Sequence, residues 1–194
     1  MNSPAHVVPL SFDLSSLVQR SVACLYSHLV TRPTGRALRL GIERQIGDIG
    51  SACLSVLDFT QVLVLDYSCA DEIVAKLIQR FQSEDRPADA YFIARGLHEQ
   101  HREPIEQVLL RHELALVAEV SAEYTLLGAA SPLERAAWSL LQQAHLGGAA
   151  DLAQPLRVSV DLATVTLDRL AGRRVVLRQE HPRAYVALPT LLPS

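Results

Sequence analysis

Ser68 is the hydroxyl in this chain best placed for chemistry. It follows a near-continuous apolar run, Val56, Leu57, Phe59, Val62, Leu63, Val64 and Leu65, and it stands between Asp66 and the acidic pair Asp71 and Glu72. The run suits a strand and its return, buried on both faces of a sheet. From Cys69 to Gln82, the apolar residues Ala70, Ile73, Val74, Leu77, Ile78 and Phe81 recur at helical spacing. Ser68 is therefore expected at a strand-to-helix turn, where two roles compete. As a cap, Ser68 with Asp71 three residues on makes a Ser-x-x-Asp box that satisfies an orphan backbone N–H. As a switch, it would carry a phosphate that gains from the helix N-terminus but meets Asp66, Asp71 and Glu72, reworking the local surface.

A second constellation is basic. Arg32 precedes, and Arg36, Arg39 and Arg44 lie on, a helical stretch from Thr34 to Ile46 with Leu38, Ile42 and Ile46 on one face. Around a helix N-terminus, Arg32, Arg36 and Arg39 could hold an anion. The competing role is a solvated face on which Arg39 pairs with Glu43 at i,i+4.

Catalytic patterns are incomplete. The flanks of Ser68 lack the glycines of a hydrolase nucleophile elbow. His98-Glu-Gln-His101, with His112 further on, has i,i+3 spacing where a metalloprotease helix needs i,i+4. A receiver-type phospho-acceptor at Asp58 or Asp66 needs a lysine at the end of a late strand, and Lys76 falls inside a helix; Asp13 also stands alone after the first strand. The chain reads as non-enzymatic, with no catalytic residue, metal or cofactor expected.

The segments DFTQV (58–62) and DYSCADE (66–72), the latter opening a helix, resemble the STAS-like bacterial regulatory domain, whose relatives include anti-sigma-factor antagonists. Thr31-Arg-Pro-Thr-Gly-Arg36 is similar to a Thr-Arg-x-x-Gly-Arg stretch that precedes the central strand in those relatives. In the antagonists the turn reads Asp-Ser-Ser-Gly, so the resemblance places Ser68 at their phosphorylated serine, with Tyr67 and Cys69 replacing the first Ser and the Gly. The Ser-x-Ala-Asp-Glu form is closer to an uncharacterised STAS-like branch. The resemblance implies an α/β sandwich that regulates by binding a protein partner.

The elements that would position these residues follow from periodicity. His6 to Asp13 reads as a first strand. Apolar residues at 14, 17, 18, 22, 25 and 29 predict a helix broken at Arg32-Pro33. Asp89 to Ala94 is a strand, Pro104 after Glu103 opens a helix burying Ile105, Val108 and Leu109, and Leu114 to Val120 is a strand. Alternating strands and helices predict an α/β sandwich with a sheet at least partly parallel.

From Ala129 the character shifts. Ser131-Pro132-Leu133-Glu134 is a capping box with Pro at the first helical position. A short helix from Ala149 to Gln154 follows, then a Ser159-capped helix carrying Leu162, Val165, Leu167 and Leu170 and stopped by Gly172. Strands at 174–178 and 184–188 then flank a turn. Three helices and a hairpin resemble a winged helix-turn-helix. The expected organisation is a STAS-like domain over 1–128 and a winged-helix (α+β) domain over 129–194.

Were the second domain to read DNA, its third helix would offer Asp161, Thr164 and Asp168, with Arg157 before it and Arg169 near its end. The wing would bring Arg173, Arg174, Arg178 and Arg183 to the phosphates. Protein contact or dimerisation is the alternative.

Composition bounds the rest. The 194 residues are 49% hydrophobic, enough for a sizeable core. Net charge is −3 but uneven: 11 basic against 16 acidic residues up to Ala130, then 7 against 5, all seven of them arginine. Cys24, Cys53 and Cys69 have no paired spacing, which fits a reducing cytoplasm. The N-terminal residues lack a signal-peptide pattern, and no apolar run approaches the ~18 residues of a membrane span. The expectation is a cytoplasmic, bacterial, non-enzymatic regulatory protein. Its STAS-like domain would bind a protein partner or signal, and its winged helix, working as a homodimer, would relay this to DNA as a transcription regulator. The rivals are a protein-interaction adaptor without DNA binding, and a small-ligand or catalytic role around Ser68 and the Arg32, Arg36 and Arg39 cluster.

Overall fold

In the computed structural model, which describes residues 19–192 apart from 26, 50 and 182, a five-stranded sheet separates two apolar layers. In chain order the elements are β1 (Gln19–Cys24), β2 (His28–Leu29), α1 (Arg32–Ile49), β3 (Cys53–Asp58) and β4 (Val64–Leu65). A helical rod follows, made of α2 (Tyr67–Ala70), a π-helical segment (Asp71–Lys76) and α3 (Leu77–Gln82). Then come β5 (Ala90–Leu97), α4 (Glu99–Arg111), β6 (Ala115–Val120) and β7 (Glu123–Gly128). The sheet order is β1-β3-β5-β6-β7, parallel except for the β6–β7 pair.

Strand order that follows chain order has a consequence. Right-handed crossovers between successive parallel strands place every connecting helix on the same face. Accordingly Cys53, Leu57, Phe92, Ala94, Leu116 and Ala118 pack under α1, the helical rod and α4. The alternate residues Leu54, Ile93, Ala115, Val117 and Leu126 point to the other face and would meet water unless something covered them.

The C-terminal segment covers them. It comprises α5 (Pro132–Ala144), β8 (Leu146–Gly147), α6 (Ala149–Leu156), α7 (Val160–Gly172), β9 (Val176–Glu180), β10 (Arg183–Ala187) and a 3-10 turn (Leu188–Leu191). β8, β10 and β9 form an antiparallel three-stranded sheet in that order. Trp138, Leu141, Val175, Tyr185, Leu188 and Leu191 join the sheet's second face in one apolar cluster. The Trp138 indole N–H donates to the Val175 carbonyl at 3.3 Å, so burial of the ring leaves no polar atom unpaired. The expected boundary at 128/129 falls in a tight connection, where Arg135 donates to the carbonyls of Leu126 and Gly128.

The chain is thus mixed α/β, with a largely parallel sheet, as expected. No described helix is long and apolar enough to cross a membrane. The expected first strand, 6–13, and Asp13 lie outside the described residues.

Four local expectations are corrected. Residues 19–24 are a strand, not part of a helix over 14–29: Val22, Leu25 and Leu29 do have helical spacing, but the parallel ladder to β3 pairs the backbone instead. Leu63 and Val64 are exposed, because Val64–Leu65 leaves the main sheet to pair with His28–Leu29. Pro104 lies inside α4, which starts at Glu99, where the His98 N–H donates to His101 Nδ1 at 3.3 Å and the His98 carbonyl accepts from the His101 N–H at 2.9 Å. β7 was not anticipated: its hairpin turn, Ser121-Ala122, takes positive φ at both residues without the Gly or Asn that usually marks it.

Candidate functional site

α1 and α2 meet at their N-terminal ends, and Gly35 is what lets them approach. A Cβ on Gly35 would lie 3.0 Å from both Cys69 Cα and Glu72 Cβ. On the facing side the Cys69 thiol donates to the Thr31 carbonyl at 2.9 Å. This crossing brings the arginines of α1 over the acidic pair of the helical rod.

Asp66, not Ser68, caps that rod. Asp66 Oδ1 accepts from the Cys69 N–H at 2.7 Å and from the Ser68 hydroxyl at 2.9 Å. Ser68 sits one residue inside the first turn, half-buried, and Asp71 turns away from it toward Arg32. The expected Ser68–Asp71 box fails because a better acceptor stands two residues earlier.

Asp71 and Glu72 are only 9% and 2% exposed. The π-helical segment that holds them widens one turn, a feature often found at functional sites. Arg32 NH1 donates to Asp71 Oδ2 at 2.7 Å and to Glu72 Oε1 at 3.0 Å. Arg39 Nε reaches Glu72 Oε2 at 3.2 Å, while its NH1 pairs with Glu43 at 2.5 Å, the i,i+4 pair expected for a solvated face. Lys76 Nζ contacts Glu72 Oε1 and lies 3.7 Å from Asp71 Oδ2. His112 Nε2, at the end of α4, is 2.8 Å from Asp71 Oδ1. Burial alone would raise both carboxyls; hydrogen bonds from Lys76, Arg32 and Arg39 hold Glu72 below the usual carboxylate range, and those from Arg32 and His112 do so for Asp71.

Arg32 divides two open clefts. One, of about 380 Å³, is lined by Arg32, Tyr67, Ser68, Asp71, Gln107, Val108 and Arg111. The other, of about 430 Å³, is lined by Arg32, Pro33, Arg36, Arg39, Glu72 and Lys76. The expected arginine cluster and the Ser68 turn are therefore neighbours across one guanidinium. Of the acids expected to repel a phosphate at Ser68, Asp71 and Glu72 are engaged by cations and Arg32 and Arg111 line the Ser68 cleft, whereas Asp66 accepts from the Ser68 hydroxyl itself.

Sequence reasoning missed His112, Lys76, Gln107 and Arg111 as members of this site, and missed Tyr67, whose hydroxyl donates to Glu103 at 3.2 Å. Only the acidic pair itself hinted at them: two adjacent acids on an apolar helix need cations from elsewhere. Asp58, weighed as a phospho-acceptor, is held at the end of β3 by the Thr60 N–H at 3.0 Å, the Thr60 hydroxyl at 2.5 Å and Arg95 at 2.6 Å.

The residues considered for DNA contact are scattered and mostly engaged. Arg173 donates to the Glu113 carbonyl at 2.9 Å and lies 3.6 Å from Glu134. Arg174 pairs with Asp89 at 2.5 Å, donates to the Ala90 carbonyl at 3.0 Å and stacks over Tyr91 at 5.0 Å. Arg183 binds Asp168 at 2.5 Å, with the Tyr185 hydroxyl donating to the same carboxylate at 2.6 Å. Arg178 bridges Asp168 and Glu180. The Thr164 hydroxyl donates to the Val160 carbonyl within α7. Arg157 and Arg169 are exposed, Arg157 in the left-handed conformation that ends α6. Compared with known protein families the chain matches none, and no curated protein matches it.

Proposed function

We propose that this chain is a non-enzymatic regulatory protein in which a STAS-like unit receives a protein partner or signal at the Ser68 cleft and a winged-helix unit passes it on. The observation that carries this reading is a continuous polar connection between the two. Asp71 in the site meets His112 at the end of α4; the next residue, Glu113, accepts from Arg173; and the Arg173 carbonyl accepts from Gln82, the last residue of α3, at 2.9 Å. Arg173 in turn lies beside Glu134, whose side chain caps α5 by accepting from the Ser131 N–H at 2.7 Å. The α3 and α4 ends that leave the site therefore converge on one arginine of the C-terminal unit. A charge arriving beside Ser68 competes for Arg32, loosens Asp71, and shifts His112 and the α4 terminus.

The output is contact with protein rather than DNA. α7, which stands where a winged helix carries its recognition helix, exposes Val160, Leu162 and Val165 along with Asp161. Apolar and acidic groups suit a protein surface and not a phosphate backbone. The wing arginines Arg178 and Arg183 are held by Asp168 of α7 itself. Fluorescence anisotropy of the full chain with duplex DNA at low and moderate salt is expected to show no salt-sensitive binding. Binding that weakens with salt and on replacing Arg178 and Arg183 by alanine would make the protein a DNA-binding regulator instead.

A further inference from the structure

The cleft on the α1 side of Arg32 carries an excess of positive charge that the described residues leave uncompensated. Of its six lining residues, Arg32, Arg36, Arg39 and Lys76 are cationic, and the one carboxylate, Glu72, is buried with both oxygens taken. Even with Asp71 and Glu43 counted, four cations face three acids. Arg36 is exposed and makes no ion pair with any described residue. α1 adds to the field, since this 18-residue helix starts at Arg32 with no acid in its first turn.

We propose that this cleft binds a small phosphorylated ligand of mononucleotide size. Its volume, about 430 Å³, lies within the range of small-molecule sites. Planar guanidinium groups grip phosphate oxygens in pairs, and Arg36 and Arg32 are the two with freedom to do so: Arg36 is exposed with no ion pair among the described residues, and Arg32 is 52% exposed. Arg39 and Lys76 stay on Glu72 and keep the cleft floor in place. The buried acids also keep Arg32 poised at the rim when the cleft is empty. Because Arg32 walls the Ser68 cleft too, occupancy on one side alters the other; that coupling rests on the regulatory reading above, whereas binding itself does not.

The test is isothermal titration of the full-length chain with sodium pyrophosphate and with ADP, in wild type, Arg36→Ala and Arg44→Ala. Arg44 is on the same helix, exposed and outside the cleft. The expected result is micromolar binding of at least one probe, weakened about tenfold or more in Arg36→Ala and unchanged in Arg44→Ala. Equal affinity for both probes assigns recognition to the phosphates, and tighter ADP binding adds a base contact; either supports the site. Circular dichroism on Arg36→Ala checks that the exposed substitution leaves the fold intact. No binding of either probe up to millimolar concentration, or equal weakening in the two variants, would overturn the proposal. Neither result would touch the polar connection through Arg173, which is measured separately.

Discussion

Cutting the chain after Ala130 is expected to leave an N-terminal fragment that does not fold on its own. Removing the C-terminal segment bares Leu54, Ile93, Ala115, Val117 and Leu126 on one sheet face. Re-exposing a fully buried Leu, Ile or Val costs roughly 1.5–3 kcal/mol each, so the four largest together forfeit roughly 6–12 kcal/mol. A whole domain has only about 5–15 kcal/mol in hand. The ion pair and cation–π contact of Arg174 with Asp89 and Tyr91 are lost as well. The full chain should unfold in a single transition by calorimetry, and the fragment should bind a hydrophobic dye and aggregate. A monomeric fragment with its own sharp thermal unfolding would show that the two units are held together only loosely.

Glu72→Ala is the single substitution with the largest expected effect on the site. It leaves Arg39 facing only Glu43 and strips Arg32 and Lys76 of a shared acceptor. Breaking a buried pair typically costs about 3–5 kcal/mol. Arg32 and Lys76 can turn into solvent, so about 2–4 kcal/mol is expected by chemical denaturation near neutral pH. The pH dependence follows from the sign of the shift. Glu72 is held below its ordinary value in the folded protein, so its contribution is present above the unfolded carboxyl range and is lost as pH falls through the folded one. The gap between wild type and Glu72→Ala should therefore narrow between about pH 5 and pH 3. A gap of constant size across that window would mean that packing of the side chain, and not its charge, supplies the stability.

The parts of this fold that were legible in the sequence are those decided locally. Ser131 and Glu134 do form a reciprocal cap, Ser159 does cap α7, the start of the apolar run at Val56 and Leu57 lies in a strand, and the stretch expected as a strand over 89–94 largely coincides with β5. What was not legible depends on partners far along the chain. β1 carries a helical pattern and becomes a strand because β3 lies beside it. The cap of the helical rod moved from Ser68 to Asp66, since both residue types serve and only the backbone decides between them. Asp71 and Glu72 were identifiable as a pair near Ser68, but their burial was not, because Arg32, Arg39 and His112 come from other helices. The same holds for the C-terminal arginines: the sequence shows a basic tail, whereas Asp89, Glu113 and Asp168 supply acceptors that engage Arg174, Arg173 and Arg183.

Communication from the site around Ser68 and Arg32 to the C-terminal unit would run through His112, Glu113 and Arg173. Hydrogen exchange followed by mass spectrometry, comparing wild type with Arg32→Gln, tests it most directly. Arg32 is half exposed and far in the chain from 109–115 and 170–176, so a global loss of folding is not expected. Faster exchange is expected not only in 31–45 and 67–80 but also in 109–115 and 170–176, at the end of α4 and the end of α7. Changes confined to the first two segments would contradict it, leaving the site a local feature with no route to the C-terminal unit.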